Sequence, residues 1–85
     1  MRAFELILHE QAWAALATTK GAARRRALAA LEELKATPLR KGDFKQRDAT
    51  GRIHEVSLIE EWLVTFWVDH AVAEIRVIDL ERAED

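Results

Sequence analysis

The chain has 85 residues, enough for one domain but too few for two separately cored units. It has no cysteine, which excludes disulfide frameworks, thiolate nucleophiles and cysteine-ligated zinc or iron–sulfur sites. A formal net charge of −2 argues against a protein whose whole surface binds phosphate. We therefore expect a single domain over residues 1–85, adapted to a reducing compartment.

The first half of the sequence predicts a strand followed by a helical hairpin. Apolar side chains alternate along residues 3–8, as in a short, well-buried strand. Helical spacing of alanine, leucine and tryptophan follows over 10–19 and ends at Gly21. A second amphipathic helix is predicted over 22–36, because Pro38 forces the residue before it out of the helical conformation. The short gap between the two helices predicts that they lie antiparallel.

The second half of the sequence predicts a sheet. Turn residues bracket residues 44–47, and three segments rich in valine, isoleucine and aromatic residues follow over 52–59, 62–68 and 72–80. The separators are short enough only for hairpins, so these three strands should form an antiparallel meander. The predicted fold is α+β, in the order β-α-α-β-β-β, with the helical hairpin packed on an antiparallel sheet. The helices cover one face of that sheet, and the other face needs a partner.

Charge is segregated along the chain. Residues 20–52 carry ten basic and four acidic side chains, whereas residues 53–85 carry nine acidic and two basic ones. A basic segment beside an acidic one can contact a polyanion or pair internally, and the sequence leaves both interpretations open.

No segment of the sequence predicts membrane insertion or export. No apolar run reaches the ~18–20 residues of a membrane span, and MRAFELILHE carries acidic residues too early for a signal peptide. We therefore expect a cytoplasmic protein without membrane contact.

Four segments, in this order, resemble the RelE/ParE superfamily of small toxins from bacterial type II toxin–antitoxin systems, and more closely its ParE-like branch. They are FELIL, ARRRALAALEELKATPL, GDFKQRDATGRIHEV and LVTFWVDHAVAEIRVIDLE. The resemblance implies growth inhibition, a role in plasmid stabilisation, and neutralisation by a cognate antitoxin. It implies a target that is DNA gyrase, as for ParE-like toxins, or messenger RNA on the ribosome, as for RelE-like toxins. It implies no cofactor.

The resemblance also implies which basic residues contact the target or RNA. Lys45 and Arg47 fall where the strand-borne basic residues of the superfamily begin, and they alternate on one side of a predicted strand. Arg52 and Arg76 fall on later strands, and Arg82 lies in the C-terminal segment.

The sequence departs from RelE-type ribonucleases in its acid–base residues. RelE-type ribonucleases generally have a cluster of basic residues on the sheet and an aromatic or histidine acid–base residue near the C-terminus. This chain has no tyrosine and no histidine after His70. RNA cleavage through the 2′-hydroxyl needs a base and an acid. The departure therefore favours an inhibitor that binds its target over an enzyme.

His54 is the candidate acid–base residue if the chain is an mRNA endonuclease, and a structural role is the alternative interpretation. No metal site is expected, because His9, His54 and His70 lie on distant segments without the spacing of metal motifs.

Trp62 and Trp67 have opposite parity on one predicted strand, so they should point to opposite faces of the sheet. An exposed tryptophan is a suitable anchor for an antitoxin, and both residues are candidates for that role. Apolar patches serve a homodimer and a toxin–antitoxin heterocomplex equally well. A non-toxic module that only binds its antitoxin and co-represses its operon is a further hypothesis.

Overall fold

A computed structural model of the protein describes residues 3–38 and 40–83. This part of the chain forms two helices and five strands. In chain order they are β1 (Glu5–Leu8), α1 (Glu10–Ala17), α2 (Gly21–Ala36), β2 (Phe44–Arg47), β3 (Ile53–Ile59), β4 (Trp62–Asp69) and β5 (Glu74–Arg82).

The strands form one mixed sheet in the order β1-β5-β4-β3-β2. β2 to β5 pair antiparallel with their neighbours in sequence, as hairpins require. β1 lies beside β5 and runs parallel to it, with Leu6 opposite Ile75. The first and last strands are therefore neighbours, and the helical hairpin connects the β1 edge of the sheet to the β2 edge.

The core lies between the helices and one face of the sheet. α2 contributes a stripe of buried side chains at helical spacing, Ala27, Ala30, Leu31 and Leu34. The facing strands contribute side chains without solvent exposure, among them Val64, Phe66, Ile75 and Val77. The buried side chains of α2 and those of β4 thus face each other and form one apolar layer.

The predicted α+β fold, with a helical hairpin on a sheet, is confirmed. Two details of the predicted sheet differ from the structure. Residues 44–47, which carry Lys45 and Arg47 but are not counted in the predicted order, form a fifth strand; its four side chains are all exposed and show no alternation of burial. The sheet is mixed and not wholly antiparallel, because apolar alternation in residues 3–8 encodes a buried strand but not its direction.

Element boundaries also shift by one or two residues, and two of these shifts have a clear local cause. α1 ends at Ala17, where the hydroxyl groups of Thr18 and Thr19 donate to carbonyl groups of the last helical turn at 2.6–3.2 Å. The last strand begins at Glu74 and not at residue 72, because Ala73 adopts a left-handed conformation with φ of 53° that belongs to the preceding turn.

The central place of β4 in the core predicts a large effect for Phe66→Ala. Phe66 is 1% exposed, and removing a buried phenyl ring leaves a cavity as well as lost apolar burial. We expect the free energy of unfolding to fall by about 3–5 kcal/mol, measured by urea denaturation. Leu58→Ala is the control, because Leu58 is half exposed on a neighbouring strand. An equal effect of the two substitutions would contradict this account of the core.

Candidate functional site

The candidate site lies on the sheet face opposite the core, termed here the outer face. Along β4, Val64 and Phe66 are buried in the core, while Leu63, Thr65 and Trp67 alternate with them and remain partly exposed. These last three side chains, and those opposite them on the neighbouring strands, define the outer face. Because the helices occupy the other side, this face is where side chains of several strands are presented together.

Two arginines flank a tryptophan on the outer face. The guanidinium carbon of Arg52 lies 4.1 Å from the Trp67 ring centroid, and that of Arg76 lies 5.6 Å from it. Trp67 and Arg76 are direct partners on β4 and β5, so their side chains leave the sheet on the same side. These three residues are termed the Arg–Trp cluster. Cation–π contacts of this kind contribute about 0.5–2 kcal/mol each and hold the guanidinium groups near the ring.

Arg76 is the more constrained of the two arginines. Its terminal Nη2 donates to Glu74 Oε1 at 2.6 Å, so one end of the guanidinium is paired with a carboxylate on the same strand. Its Nε is buried and has no hydrogen-bond partner within the described residues. An unpaired buried donor is costly and is normally satisfied, so a ligand acceptor that reached Nε would gain a hydrogen bond there.

The loop between β2 and β3 carries Arg52 and is organised by Asp48. Asp48 Oδ1 accepts the backbone N–H of Thr50 at 2.9 Å, the Thr50 hydroxyl at 2.6 Å and the backbone N–H of Arg52 at 3.0 Å. These donors, the Thr50 hydroxyl first, hold the pKa of the Asp48 carboxyl below its usual value. Gly51 has φ of 88°, which a side chain would disfavour. The Arg47 guanidinium donates to the Gly51 carbonyl at 2.9 Å and braces the same loop.

His54 is brought to the outer face but is not freely accessible there. The residue is 6% exposed, and its Nε2 lies 3.3 Å from Asp48 Oδ2. It lines a recess of about 240 Å³ together with Gln46, Thr65 and Asp79. The imidazole is therefore held against the loop, an arrangement that suits a structural contact better than free proton exchange with a substrate.

Lys45 and Arg52 meet in a second recess, of about 370 Å³, at the end of the sheet. Arg40 and Lys41, from the segment between α2 and β2, line the same recess, as does Trp67. Arg40 also pairs with Glu33 at 3.0 Å. Sequence reasoning did not select Arg40 and Lys41, although they lie in the basic segment. Their position next to Lys45 depends on the path of the chain after Pro38, which no local pattern predicts.

The remaining predicted basic residues are dispersed. The side chain of Arg47 is directed at its own loop, as described above. Arg82 lies opposite Trp62 at the far end of β5, about 20 Å along the strand from Arg76. The structure therefore brings Arg52 and Arg76 together on Trp67 and leaves Arg82 apart. Lys45 lines a recess with Arg52, but its register with Glu55 and Phe66 places it on the core side of the sheet.

The two candidate tryptophans differ in exposure, as their parity predicts. Trp62 is 3% exposed, belongs to the core, and donates its indole N–H to the Ala23 carbonyl of α2 at 3.2 Å. Because a side chain enclosed by the core offers little surface to a partner, the burial of Trp62 argues against its predicted role as an antitoxin contact. Trp67 is the tryptophan presented on the outer face.

Internal pairing takes up part of the basic segment. Arg26 forms an ion pair with Glu61 at 3.1 Å, and the Arg24 guanidinium donates to the Leu16 carbonyl near the end of α1. These contacts account for two of the cations of the basic segment, while Arg52 faces Trp67 on the outer face.

Within the described residues, no group of three or more histidine, cysteine, aspartate or glutamate side chains could hold a metal ion. No helix in residues 3–38 and 40–83 is long and apolar enough to cross a membrane.

Comparison with known proteins identifies the fold. No protein-family model matches the sequence, and no curated protein matches it significantly. Among solved structures, the chain is similar to the archaeal RelE–RelB complex from Pyrococcus horikoshii OT3, with a TM-score of 0.67 and 20% identity. That match covers 96% of this chain and 97% of the other.

Two bacterial structures are similar over comparable lengths. The toxin–antitoxin complex RelBE2 from Mycobacterium tuberculosis matches with a TM-score of 0.70 and 14% identity, covering 95% of this chain and 99% of the other. The RelBE toxin–antitoxin complex of E. coli matches with a TM-score of 0.62 and 17% identity, covering 98% and 100%. The chain thus has the RelE-like fold over nearly its whole length, which confirms the predicted resemblance at the level of the fold.

Proposed function

We propose that this protein is the toxin of a type II toxin–antitoxin system, inhibits growth by binding its target through the outer face, and is neutralised by a cognate antitoxin. The RelE-like fold supports this proposal, because structures similar over both whole chains are toxin–antitoxin complexes. The Arg–Trp cluster is the observation that supports the outer face as the binding surface. It combines a partly exposed tryptophan with two cations, a composition typical of binding hot spots.

For the target we propose DNA gyrase, as for ParE-like toxins, with inhibition by occupation of a protein surface. The state of His54 supports a binding mechanism. An imidazole that is enclosed and directed at Asp48 is poorly placed to take a proton from a 2′-hydroxyl, which a base must approach to hydrogen-bond distance. The chain also has no tyrosine to serve in its place.

A second candidate is a RelE-like endonuclease acting on messenger RNA on the ribosome, and the Arg–Trp cluster favours it. Indole rings stack on bases, and guanidinium groups bind phosphate through paired donors. The recess beside Trp67 adds Lys45 to these cations. In this candidate, Arg52 and Arg76 would stabilise the charge that develops on phosphate, and His54 would have to act as acid or base.

The antitoxin is proposed to cover the same outer face. Phe44 and Leu58 are more than half exposed, and Leu63 is partly exposed beside Leu58. Register places these side chains with Trp67 on one side of the sheet, at a distance from the Arg–Trp cluster. An antitoxin segment with apolar and acidic residues would bury the apolar patch and neutralise the cations together, which would exclude the target.

Replacing Arg52 and Arg76 together by alanine tests the proposed surface. We expect the double variant to lose growth arrest when it is induced in a bacterial host without antitoxin, because the two cations and the ordered indole are lost. Colony counts after induction measure the effect, and the soluble yield and the thermal transition confirm that the variant folds. Arg25→Ala is the matched control, since it removes one exposed cation on α2. Arrest that persists in the double variant would refute the assignment of the cluster.

His54→Gln separates the two targets. A toxin that blocks gyrase by binding should retain its arrest, because glutamine keeps a donor near Asp48 and no proton transfer is required. An endonuclease that uses His54 should lose 10²-fold or more of its cleavage rate, on the order expected for an acid–base group. The same colony counts report both cases, and loss of arrest by this variant with its fold intact would favour the endonuclease.

A further inference from the structure

We infer that Asp48 is a positioning residue, which fixes the loop between β2 and β3 and thereby holds the Arg52 guanidinium over Trp67. The inference rests on the proposed function only in giving Arg52 a target to contact. The positioning itself is a property of the free protein.

Most of the backbone and side-chain contacts that close the loop involve Asp48. Its backbone N–H donates to the Arg52 carbonyl at 3.0 Å, and its carbonyl accepts the Gly51 N–H at 3.0 Å. Its Oδ1 accepts the three donors from Thr50 and Arg52 described above. Aspartate side chains replace backbone groups in turns of this kind, and here one oxygen ties both ends of the loop.

Arg52 is fixed at both polar groups of its backbone. Its N–H donates to Asp48 Oδ1 at 3.0 Å, and its carbonyl accepts the Asp48 N–H at 3.0 Å. The Cα of Arg52 therefore has a set position and direction at the start of β3. Ordering an arginine side chain costs up to about 2 kcal/mol of rotamer entropy. A fixed Cα position therefore helps to keep the Arg52 guanidinium 4.1 Å from the Trp67 ring.

The second carboxylate oxygen is held from the sheet. Asp48 Oδ2 lies 3.3 Å from Nε2 of the buried His54, so the carboxyl group is clamped between its own loop and β3. Arg47 from β2 and Asp79 from β5 are the other charged side chains that line this recess, beside neutral Gln11, Gln46 and Thr65. Contacts at both oxygens fix the orientation of the carboxylate. Oδ1 needs a fixed orientation to accept its three donors together.

The chain offers a matched comparison for Asp48. Asp43, just before β2, also accepts a backbone N–H with its side chain, from Leu58 to Oδ2 at 2.7 Å. It supports the same pair of strands from their other end, where its backbone N–H also donates to the Val56 carbonyl at 2.8 Å. Replacing Asp43 removes a similar carboxylate–backbone hydrogen bond without disturbing the backbone position of Arg52.

Nuclear magnetic resonance of the labelled free protein tests the inference. The readout is the upfield ring-current shift of the Arg52 side-chain protons, together with the indole resonance of Trp67. In Asp48→Ala we expect that shift to be lost. In Asp48→Asn we expect an intermediate shift, because the neutral amide oxygen accepts the same donors more weakly than a carboxylate does, and in Asp43→Ala we expect it to be unchanged. An Asp48→Ala protein that keeps the Arg52 shift would overturn the inference.

An acid titration of the wild-type protein provides a second test that needs no destabilised variant. The pKa of Asp48 is lowered in the folded protein, so its hold on the loop is present above the ordinary aspartate pKa of about 3.9. That hold is weakened as the pH falls through the lower, folded-state pKa, because the protonated carboxyl is a neutral acceptor. The Arg52 shift of the wild type should then fall to the intermediate value of Asp48→Asn, and the transition should be missing in Asp48→Asn. A wild-type Arg52 shift that is insensitive to acid while the protein stays folded would overturn the inference.

Growth arrest by Asp48→Ala separates this inference from the proposed function. Loss of the Arg52 shift with arrest intact would support the positioning role but contradict the role of Arg52 in target binding. Loss of both would support both. Loss of arrest with the Arg52 shift retained would refute the positioning role and leave the proposed toxin function standing.

Discussion

The alternation of side chains along β4 is the constraint on which the rest of the structure depends. Phe66 faces the helices without solvent exposure, so its neighbour Trp67 must face the other way. A slip of one residue in the pairing of β4 would exchange these two faces and expose the core. The pairing that buries Phe66 therefore also places Trp67 opposite Arg76 on the outer face.

The Arg–Trp cluster is assembled from two strands and one loop. β4 and β5 present Trp67 and Arg76 as direct partners, and the core packs against the other side of these strands. Arg52 lies in the loop just before β3 and depends on Asp48 for its position. Trp67 and Arg76 are therefore held by the core strands, whereas Arg52 depends on a short surface loop. Local order is easier to lose in such a loop.

The periodic parts of the molecule could be predicted from the sequence, and the long-range parts could not. The stripe of α2 and the alternation of β4 specify burial directly, so both elements were located and the parity of Trp62 and Trp67 was right. Which of the two tryptophans is enclosed depends on where the helices pack, which is not a local property. The exposed β2 has no pattern of burial, and the parallel pairing of β1 with β5 joins the two ends of the chain.

The candidate site was likewise predicted only in part from the sequence. Arg52 and Arg76 were predicted as site residues by resemblance, and the structure places both on one tryptophan. Asp48 had no signal as a functional residue, because an aspartate before a glycine-containing turn is a common turn residue. Its contacts with His54 and Arg52 exist only once β2 and β3 pair.

Pulse-labelling of a bacterial host, after induction of this chain without antitoxin, tests the central claim most directly. Incorporation of thymidine and of methionine is followed in parallel over the first minutes. A toxin that occupies gyrase predicts that thymidine incorporation falls first. An earlier fall in methionine incorporation would contradict that account in favour of mRNA cleavage, and no fall in either would contradict the proposed toxin function.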